Sequence, residues 1–287
     1  MSDRLKHWLK PSLALALLAL LTWLAPAAPL DPWHLMNPKK VATMIFALAV
    51  VQVFGSLMAQ YLGARTGALL TGFLGGLVSS TATTASLARR SQLTGTSSTA
   101  SAMLMFLAAT SAMLIEGLVL VTAGLSEVHW PLLLIFVGPL FATGALILIQ
   151  SRQVHGQVES SKISEFEVLP ILKLAVFILV IISISKILQN YFGKNGIVIL
   201  TSLVSLFEIH GSIIANVQMH ESGSSSTLLL CGLLAISVAA SYVSKLFLIL
   251  TIGSSPLRLQ ALKATALLFC ASGASWGFAF YFLELQK

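Results

Sequence analysis

Long apolar runs separated by short polar gaps fill almost the whole chain. Nine runs can be drawn, at about 11–29, 41–62, 67–89, 98–124, 130–150, 169–190, 196–217, 226–251 and 260–283. A helix needs about 20 apolar residues to cross the hydrocarbon core of a bilayer. The runs exceed strand length and lack alternation, and helices satisfy their own backbone groups in lipid. The pattern predicts an all-α polytopic membrane protein with about nine hydrophobic segments.

The composition excludes a soluble domain of any size. Hydrophobic residues make up 56% of the 287 positions and charged residues 9%, whereas soluble domains carry roughly 25% charged residues. The formal net charge of +7 belongs to loops, where it sets orientation and meets anionic headgroups. No basic stripe or nucleic-acid motif is present. We therefore expect a lipid bilayer around the protein and no nucleic-acid partner.

The order of segments indicates an internal duplication. Residues 1–40 would form an N-terminal span and an interfacial loop, with a basic start that resembles a signal peptide but is expected to be retained. Residues 41–150 would form a first membrane repeat, 151–168 a polar linker and 169–287 a second repeat. An offset of 129 aligns the two halves, for example Gly67 with Gly196. Identity between the halves is low, so the prediction depends on the shared order of segments.

Two segments differ from the rest and occupy corresponding places in the two halves. Segment 67–89 is rich in Gly, Ser and Thr, and segment 196–217 carries Glu208 and His210. Both are long enough to cross the membrane as ordinary helices, which slightly favours that interpretation. Alternatively both are re-entrant, with polar backbone at membrane depth covered by protein or by a water-filled cavity.

The distribution of basic residues supports the re-entrant alternative. If all nine segments cross, Lys and Arg divide almost evenly between the two sides, contrary to the positive-inside rule. If the two polar segments return, the halves are inverted relative to each other, as in many transporters. The inside then collects Arg4, Lys6, Lys10, Arg65, Arg89, Arg90, Arg152, Lys162, Lys173, Arg258 and Lys263, and the outside keeps Lys39, Lys40, Lys194 and Lys287.

The polar residues of these two segments are the candidates for function, because ionisable groups inside a membrane are functional candidates by default. On one continuous helix, Glu208 would share a face with Ser212 and Asn216. A hydroxyl-lined face in the first segment would correspond to it. Such faces could line an ion path, or they could only make interhelical hydrogen bonds. The candidate path-lining or binding residues are Ser79, Thr81, Thr83, Glu208, His210, Ser212 and Asn216.

For His210 and for two further residues, Glu116 and Lys245, a mainly structural interpretation is also available. His210 would face away from Glu208 on a continuous helix, where a lone histidine is more often a packing residue than a ligand. Glu116 and Lys245 are paired by the same offset. A direct ion pair between them would offset the cost of burying each charge, and a charged lock near the path is the functional alternative.

The sequence gives no reason to expect an enzyme or a cofactor. No serine has a histidine and an acid in a recognisable arrangement, and there is no P-loop, GxGxxG or HExxH motif. Cys231 and Cys270 lie in apolar runs and are expected to pack. Whether a metal binds stays open.

Several motifs together resemble a known family. They are Leu30-Asp31-Pro32-Trp33 with Asn37-Pro38-Lys39, Gly63-x-Arg65-x-Gly67, the run from Gly72 to Thr84, and Arg89-Arg90. These residues resemble the MgtC/SapB-associated membrane domain of unknown function, a domain that usually follows an MgtC-like half. Lys245 matches an intramembrane lysine of that family. Where the family tends to have Asp-x-Asp, this chain has Glu208-Ile209-His210, so a two-carboxylate cation site does not carry over.

The resemblance implies a multi-pass protein of the bacterial inner membrane linked with magnesium or ion homeostasis. The first functional hypothesis is a transporter or channel for an inorganic ion or small solute. The second is a non-transporting membrane subunit that binds or regulates a protein partner, by analogy with MgtC-like proteins. A homo-oligomer or another membrane protein would fit either hypothesis.

Overall fold

The fold is a bundle of α-helices, seen in a computed structural model that describes residues 3–28, 37–62, 67–93, 96–152 and 168–285. Within these ranges there is no strand, and the all-helical class is confirmed. The helices are α1 (Asp3–Leu24), α2 (Pro38–Leu62), α3 (Ala68–Leu93), α4 (Thr96–Gly124), α5 (Trp130–Ser151), α6 (Val168–Phe207), α7 (Ile209–Glu221), α8 (Thr227–Ile252) and α9 (Ser255–Leu285).

The count of nine apolar segments is corrected by the structure. Within the described residues, six helices are long and apolar enough to cross a membrane. They are α2, α3, α4, α5, α8 and α9. The apolar part of α1 is short, at Ser12–Leu24, and so is Tyr191–Phe207. The second polar segment is divided between the end of α6 and α7, because the chain leaves helical geometry at Glu208. The protein is nevertheless a multi-pass membrane protein.

The first polar segment, α3, folds back on itself at Ser79. The backbone of Ser79 is extended, with φ −166° and ψ 104°. Residues eight apart on a straight helix are separated by about 12 Å, yet a side chain added at Gly75 would meet Thr83 Oγ1 at 2.8 Å. Ala68 and Ala88, near the two ends, lie in one apolar cluster. Residues 67–93 are therefore a helical hairpin, hairpin 1, with its tip at Ser79.

The second polar segment has the same shape. Thr201 Oγ1 donates a hydrogen bond to Asn216 Oδ1 at 3.0 Å, although 15 residues of straight helix would separate them by about 22 Å. Ile197 and Met219 lie in one small apolar cluster. Residues 196–221 therefore form hairpin 2, with its tip at Glu208. Neither polar segment crosses as a straight helix.

The two hairpins enter the bundle from opposite ends. The outer ends of hairpin 2 pack against Leu233, near the start of α8. The outer ends of hairpin 1 cluster with Ile249, near the end of α8. These two positions on α8 are separated by about 24 Å at the rise of an α-helix, which is most of the thickness of a hydrocarbon core.

Helix α4 is the centre of the bundle. Of its most apolar stretch, 83% is buried inside the protein, against 22% for α9. Close approach is possible because α4 and its neighbours are rich in small residues. A side chain added at Gly72 or Gly76 would come within 2.5 Å of the α4 backbone, at Met105 and Ala109. The GxxxG spacing in hairpin 1 thus serves packing inside the chain, whereas α9 presents much of its surface to lipid.

The two halves are not equivalent repeats, contrary to the prediction. Hairpin 1 has the hydroxyl residue Ser79 at its tip, whereas hairpin 2 has the acid Glu208. Hairpin 2 is also preceded by a further break inside α6, at Gly193, where φ is +58°. The polar linker at 151–168 lies mostly outside the described residues, as do Arg65 and most of the motif around Leu30.

Candidate functional site

Each hairpin tip is a break at which a helix begins inside the bundle. Ser79 Oγ accepts a hydrogen bond from the Ala82 backbone N–H at 3.2 Å. Glu208, also extended at φ −147° and ψ 97°, accepts one from the His210 N–H at 3.0 Å. Side-chain oxygens at these positions satisfy backbone donors that a helix start leaves free. The two tip residues are 129 apart, the offset that aligned the two halves in the sequence.

Both tips lie beside the same stretch of α4. Gly76, three residues before the first tip, packs against Ala109 and Ala112. His210, two residues after the second tip, lies beside Glu116, which is one helical turn beyond Ala112. The two breaks therefore lie at neighbouring levels of the bundle, well inside the membrane.

His210 bridges two carboxylates. Its Nδ1 is 3.0 Å from Glu208 Oε1, and its Nε2 is 3.2 Å from Glu116 Oε2. Glu116 is 1% exposed, whereas the Glu208 side chain is 37% exposed. The prediction that His210 faces away from Glu208 is wrong, because it assumed a continuous helix. The break at Glu208 brings the carboxylate back over the first turn of α7, onto the imidazole.

Lys245 lies close by but does not pair directly with a carboxylate. Its Nζ donates to Ser241 Oγ and to Met113 Sδ, each at 2.7 Å. Among the described residues no Asp or Glu oxygen lies within 4.0 Å of it. The predicted direct pair with Glu116 is therefore wrong, since His210 takes that place. Lys245 still acts electrostatically on Glu116 and Glu208, and it is fully buried.

The remaining predicted site residues lie on the two hairpins. Ser212 Oγ is 3.2 Å from Ser237 Oγ of α8, and Asn216 pairs with Thr201 across hairpin 2. Thr83 packs against Gly75 across hairpin 1, and Thr81 is half-buried near the tip. Their proposed role in lining a path stays a prediction.

A polar cluster that the sequence reasoning missed holds the outer end of hairpin 2. Lys40 of α2 forms an ion pair with Glu221 and contacts Ser126. Glu221 also accepts hydrogen bonds from the Ser126 N–H at 3.0 Å and hydroxyl at 2.7 Å. The sequence does show that Lys40 and Glu221 carry opposite charges at the ends of two segments. It does not show that these two ends lie together.

The described part of the chain holds no group of three or more His, Cys, Asp or Glu side chains arranged to bind a metal ion. Of the two cysteines, Cys231 is buried and Cys270 is exposed on α9.

The part of the chain that holds both hairpins matches the model of one protein family. The model for a domain of unknown function, DUF4010, matches residues 46–253. The chain belongs to the DUF4010 family. The matched range contains both hairpins of this DUF4010 protein together with Glu116 and Lys245. Comparison with curated proteins and with solved structures gave no match.

Proposed function

We propose that this DUF4010 protein is an integral membrane transporter or channel for an inorganic ion or small solute, without enzymatic activity. The observation that supports the proposal is the pair of opposed helical hairpins, each broken at membrane depth. Transporters commonly place discontinuous helices at the substrate site, where half-helix ends and unwound backbone meet the solute. Lipid-facing breaks would leave backbone groups unsatisfied, so breaks at this depth belong beside protein or a water-filled path.

The chemistry at the tips fits a small polar solute. Hairpin 1 offers hydroxyls at Ser79, Thr81 and Thr83, and Ser79 is exposed at the tip. Hairpin 2 offers Glu208, whose side chain is partly exposed, and His210, Ser212 and Asn216 behind it. A path between the tips would pass from neutral hydroxyls to a carboxylate.

The location and biological setting are part of the same proposal. We place the protein in a bacterial inner membrane, linked with MgtC/SapB-type proteins and magnesium homeostasis. The apolar helices support the membrane location, and the link with MgtC/SapB-type proteins depends on the motif resemblance around Gly72–Thr84 alone.

Accessibility of the tip tests the path without knowledge of the solute. A single cysteine at Ser79, with Cys231 and Cys270 replaced, should react with a membrane-impermeant thiol reagent added from either side of the membrane. A cysteine at Gly232, in open space on α8, is the control for lipid-facing positions. Absence of reaction from both sides at Ser79→Cys would contradict a path at the hairpin tips.

Flux identifies the solute class. Purified protein in proteoliposomes would be exposed to concentration jumps of Mg²⁺, K⁺, Na⁺, chloride and phosphate while charge movement is recorded. We expect a current for at least one ion that is lost in Glu208→Gln and kept in His220→Gln. If none of these ions produces a current and Glu208→Gln changes nothing, the alternative of a partner-binding subunit is favoured.

A further inference from the structure

We propose that Glu208, His210 and Glu116 form a proton relay that carries a proton between the accessible hairpin tip and the buried centre of α4. This inference builds on the proposed transport function and names the proton as its coupling ion. It depends on the spacing of three side chains and on their unequal exposure.

The geometry places a single imidazole between two carboxylates. One ring nitrogen faces Glu208 at 3.0 Å and the other faces Glu116 at 3.2 Å. The contact of Nδ1 with Glu208 is a hydrogen bond. The contact of Nε2 with Glu116 is a close approach without hydrogen-bond alignment, and contacts that transfer protons often align only in the working state. Histidine suits the place because its two nitrogens can accept a proton on one side and release one on the other.

The two carboxylates at the ends of the relay differ in burial. The Glu208 side chain is 37% exposed, His210 is 11% exposed at its side chain and Glu116 is 1% exposed. Neither oxygen of Glu116 makes a hydrogen bond among the described residues, and the nearest polar atom is His210 Nε2 at 3.2 Å from Oε2. A buried carboxylate with an unused oxygen is costly as a purely structural tie. The same oxygen is useful on a group that alternates between binding and releasing a proton.

Transfer of a proton through the relay breaks two bonds to hydrogen and forms two. A proton on the Glu208 carboxyl moves to His210 Nδ1, and the proton on His210 Nε2 moves to Glu116. The O–H bond of Glu208 and the Nε2–H bond break, and an Nδ1–H bond and the O–H bond of Glu116 form. The imidazole ends neutral in its other tautomer, and return of the proton by the same route restores the first tautomer. No oxidant, reductant or further reactant is needed.

Other charged and titratable groups near the relay come from the helices packed around α7. Lys245 of α8 acts on both carboxylates, and Tyr242 lies one turn before it on the same helix. Lys40 of α2 and Glu221 form their own pair at the outer end of hairpin 2. With Lys245 charged, Glu208 protonated, His210 neutral and Glu116 ionised, the site has no net charge, and transfer of the proton to Glu116 leaves the net charge unchanged.

Infrared difference spectroscopy of the protein in lipid tests the relay without any solute. A change of pH, or exchange of H₂O for D₂O, should reveal carboxyl bands of Glu208 and Glu116. Each band is assigned by its loss in Glu208→Gln or in Glu116→Gln. His210→Gln keeps polar contacts to both neighbours but cannot pass a proton through. We expect deuterium exchange at Glu116 to slow by about 100-fold in this variant, the size typical of a lost acid–base group.

Controls separate a lost relay from a lost fold. His220→Gln removes a histidine of the same helix, one whose Nδ1 bonds to the Ser225 carbonyl, and should leave exchange at Glu116 unchanged. If His210→Gln does not fold, Glu208→Gln removes the entry point instead and should slow exchange at Glu116 similarly. Equal exchange in wild type and His210→Gln, or no pH-responsive carboxyl band in wild type, would overturn the relay. Because no flux is measured, a protein that carries no ion still gives a clear result here.

Discussion

The two hairpins have the same shape and different chemistry. Each enters from one end of the bundle, breaks at an extended residue and returns to the end that it came from. At the tip of hairpin 1 every polar group is a neutral hydroxyl, whereas at the tip of hairpin 2 an acid, a histidine and the buried Glu116 meet within 3.2 Å. Because hairpin 1 forms this shape with backbone and small residues, the charged cluster of hairpin 2 is not required for the hairpin shape as such.

The cost of burying charge supports that contrast. Hairpin 1 shows that Ser79 Oγ is enough to cap a helix start at this depth. Hairpin 2 uses a carboxylate for the same purpose and adds two further ionisable groups nearby. Ionisable groups within a membrane are expensive and mark solute paths or proton relays. The difference between the hairpins therefore points to hairpin 2 and α4 as the active side of the site.

The largest effect on stability is expected at Glu116. Its replacement by Ala leaves His210 buried beside a single carboxylate, and removal of one member of a buried ion pair costs about 3–5 kcal/mol. Glu208→Ala removes a helix cap that is partly exposed, and loss of a cap costs about 0.5–2 kcal/mol. Unfolding by SDS in mixed micelles measures both. Equal losses would contradict the difference in burial between the two carboxylates.

A double-mutant cycle shows which partner Glu116 has. The variants Glu116→Ala and His210→Ala should be coupled more strongly than Glu116→Ala and Lys245→Ala, because contacting residues show coupling of about 0.5–3 kcal/mol. A stronger coupling to Lys245 would restore the direct pair that the sequence predicted.

The next effect concerns hairpin 1, whose docking depends on small residues. In Gly76→Ala the new methyl group would lie 2.5 Å from Ala109 Cα, and overpacking of this kind costs about 1–3 kcal/mol. Gly232→Ala is the matched control, because nothing lies within 4 Å of that position. A loss of the same size in both variants would show that hairpin 1 does not pack as described.

The smallest effect comes from the hydrogen bond that joins the arms of hairpin 2. Thr201→Val removes the donor to Asn216, and a net hydrogen bond contributes about 0.5–1.5 kcal/mol. Ser202→Ala is the control, because the Ser202 hydroxyl bonds to the carbonyl of Val198 in its own helix. We expect a greater loss of stability from Thr201→Val. The reverse order would argue against the close approach of the two arms.

Much of the architecture could be predicted from the sequence, because long apolar runs and helix ends are local properties. The positions of the two unusual segments also followed from local composition. The partners inside the site could not be predicted. A continuous helix was assumed through Glu208, and that assumption placed His210 on the wrong face. Glu116 was matched with Lys245 by charge and register, whereas packing places the His210 imidazole against Glu116 and the Ser241 hydroxyl against Lys245.

The orientation of the protein in the membrane can be predicted better from the ends at which the hairpins enter than from the number of membrane-spanning helices. Among the described residues, Arg89, Arg90, Arg152 and Arg258 lie near helix ends on the side of the bundle where hairpin 1 enters, and Lys263 lies about two turns into α9 on the same side. Lys39, Lys40 and Lys194 lie at the opposite end. From the positive-inside rule we predict that hairpin 1 enters from the cytoplasm.

Both polar segments are hairpins, and they enter the membrane from opposite faces. This arrangement is tested most directly by labelling single cysteines at the four outer ends of the hairpins, in intact cells and in inverted vesicles. Gly67→Cys and Gln92→Cys should react with an impermeant reagent from the cytoplasmic face only. Lys194→Cys and Ser222→Cys should react from the opposite face only. Straight crossing of either segment would place the two members of its pair on opposite faces, and that result would contradict the hairpins and the path proposed between them.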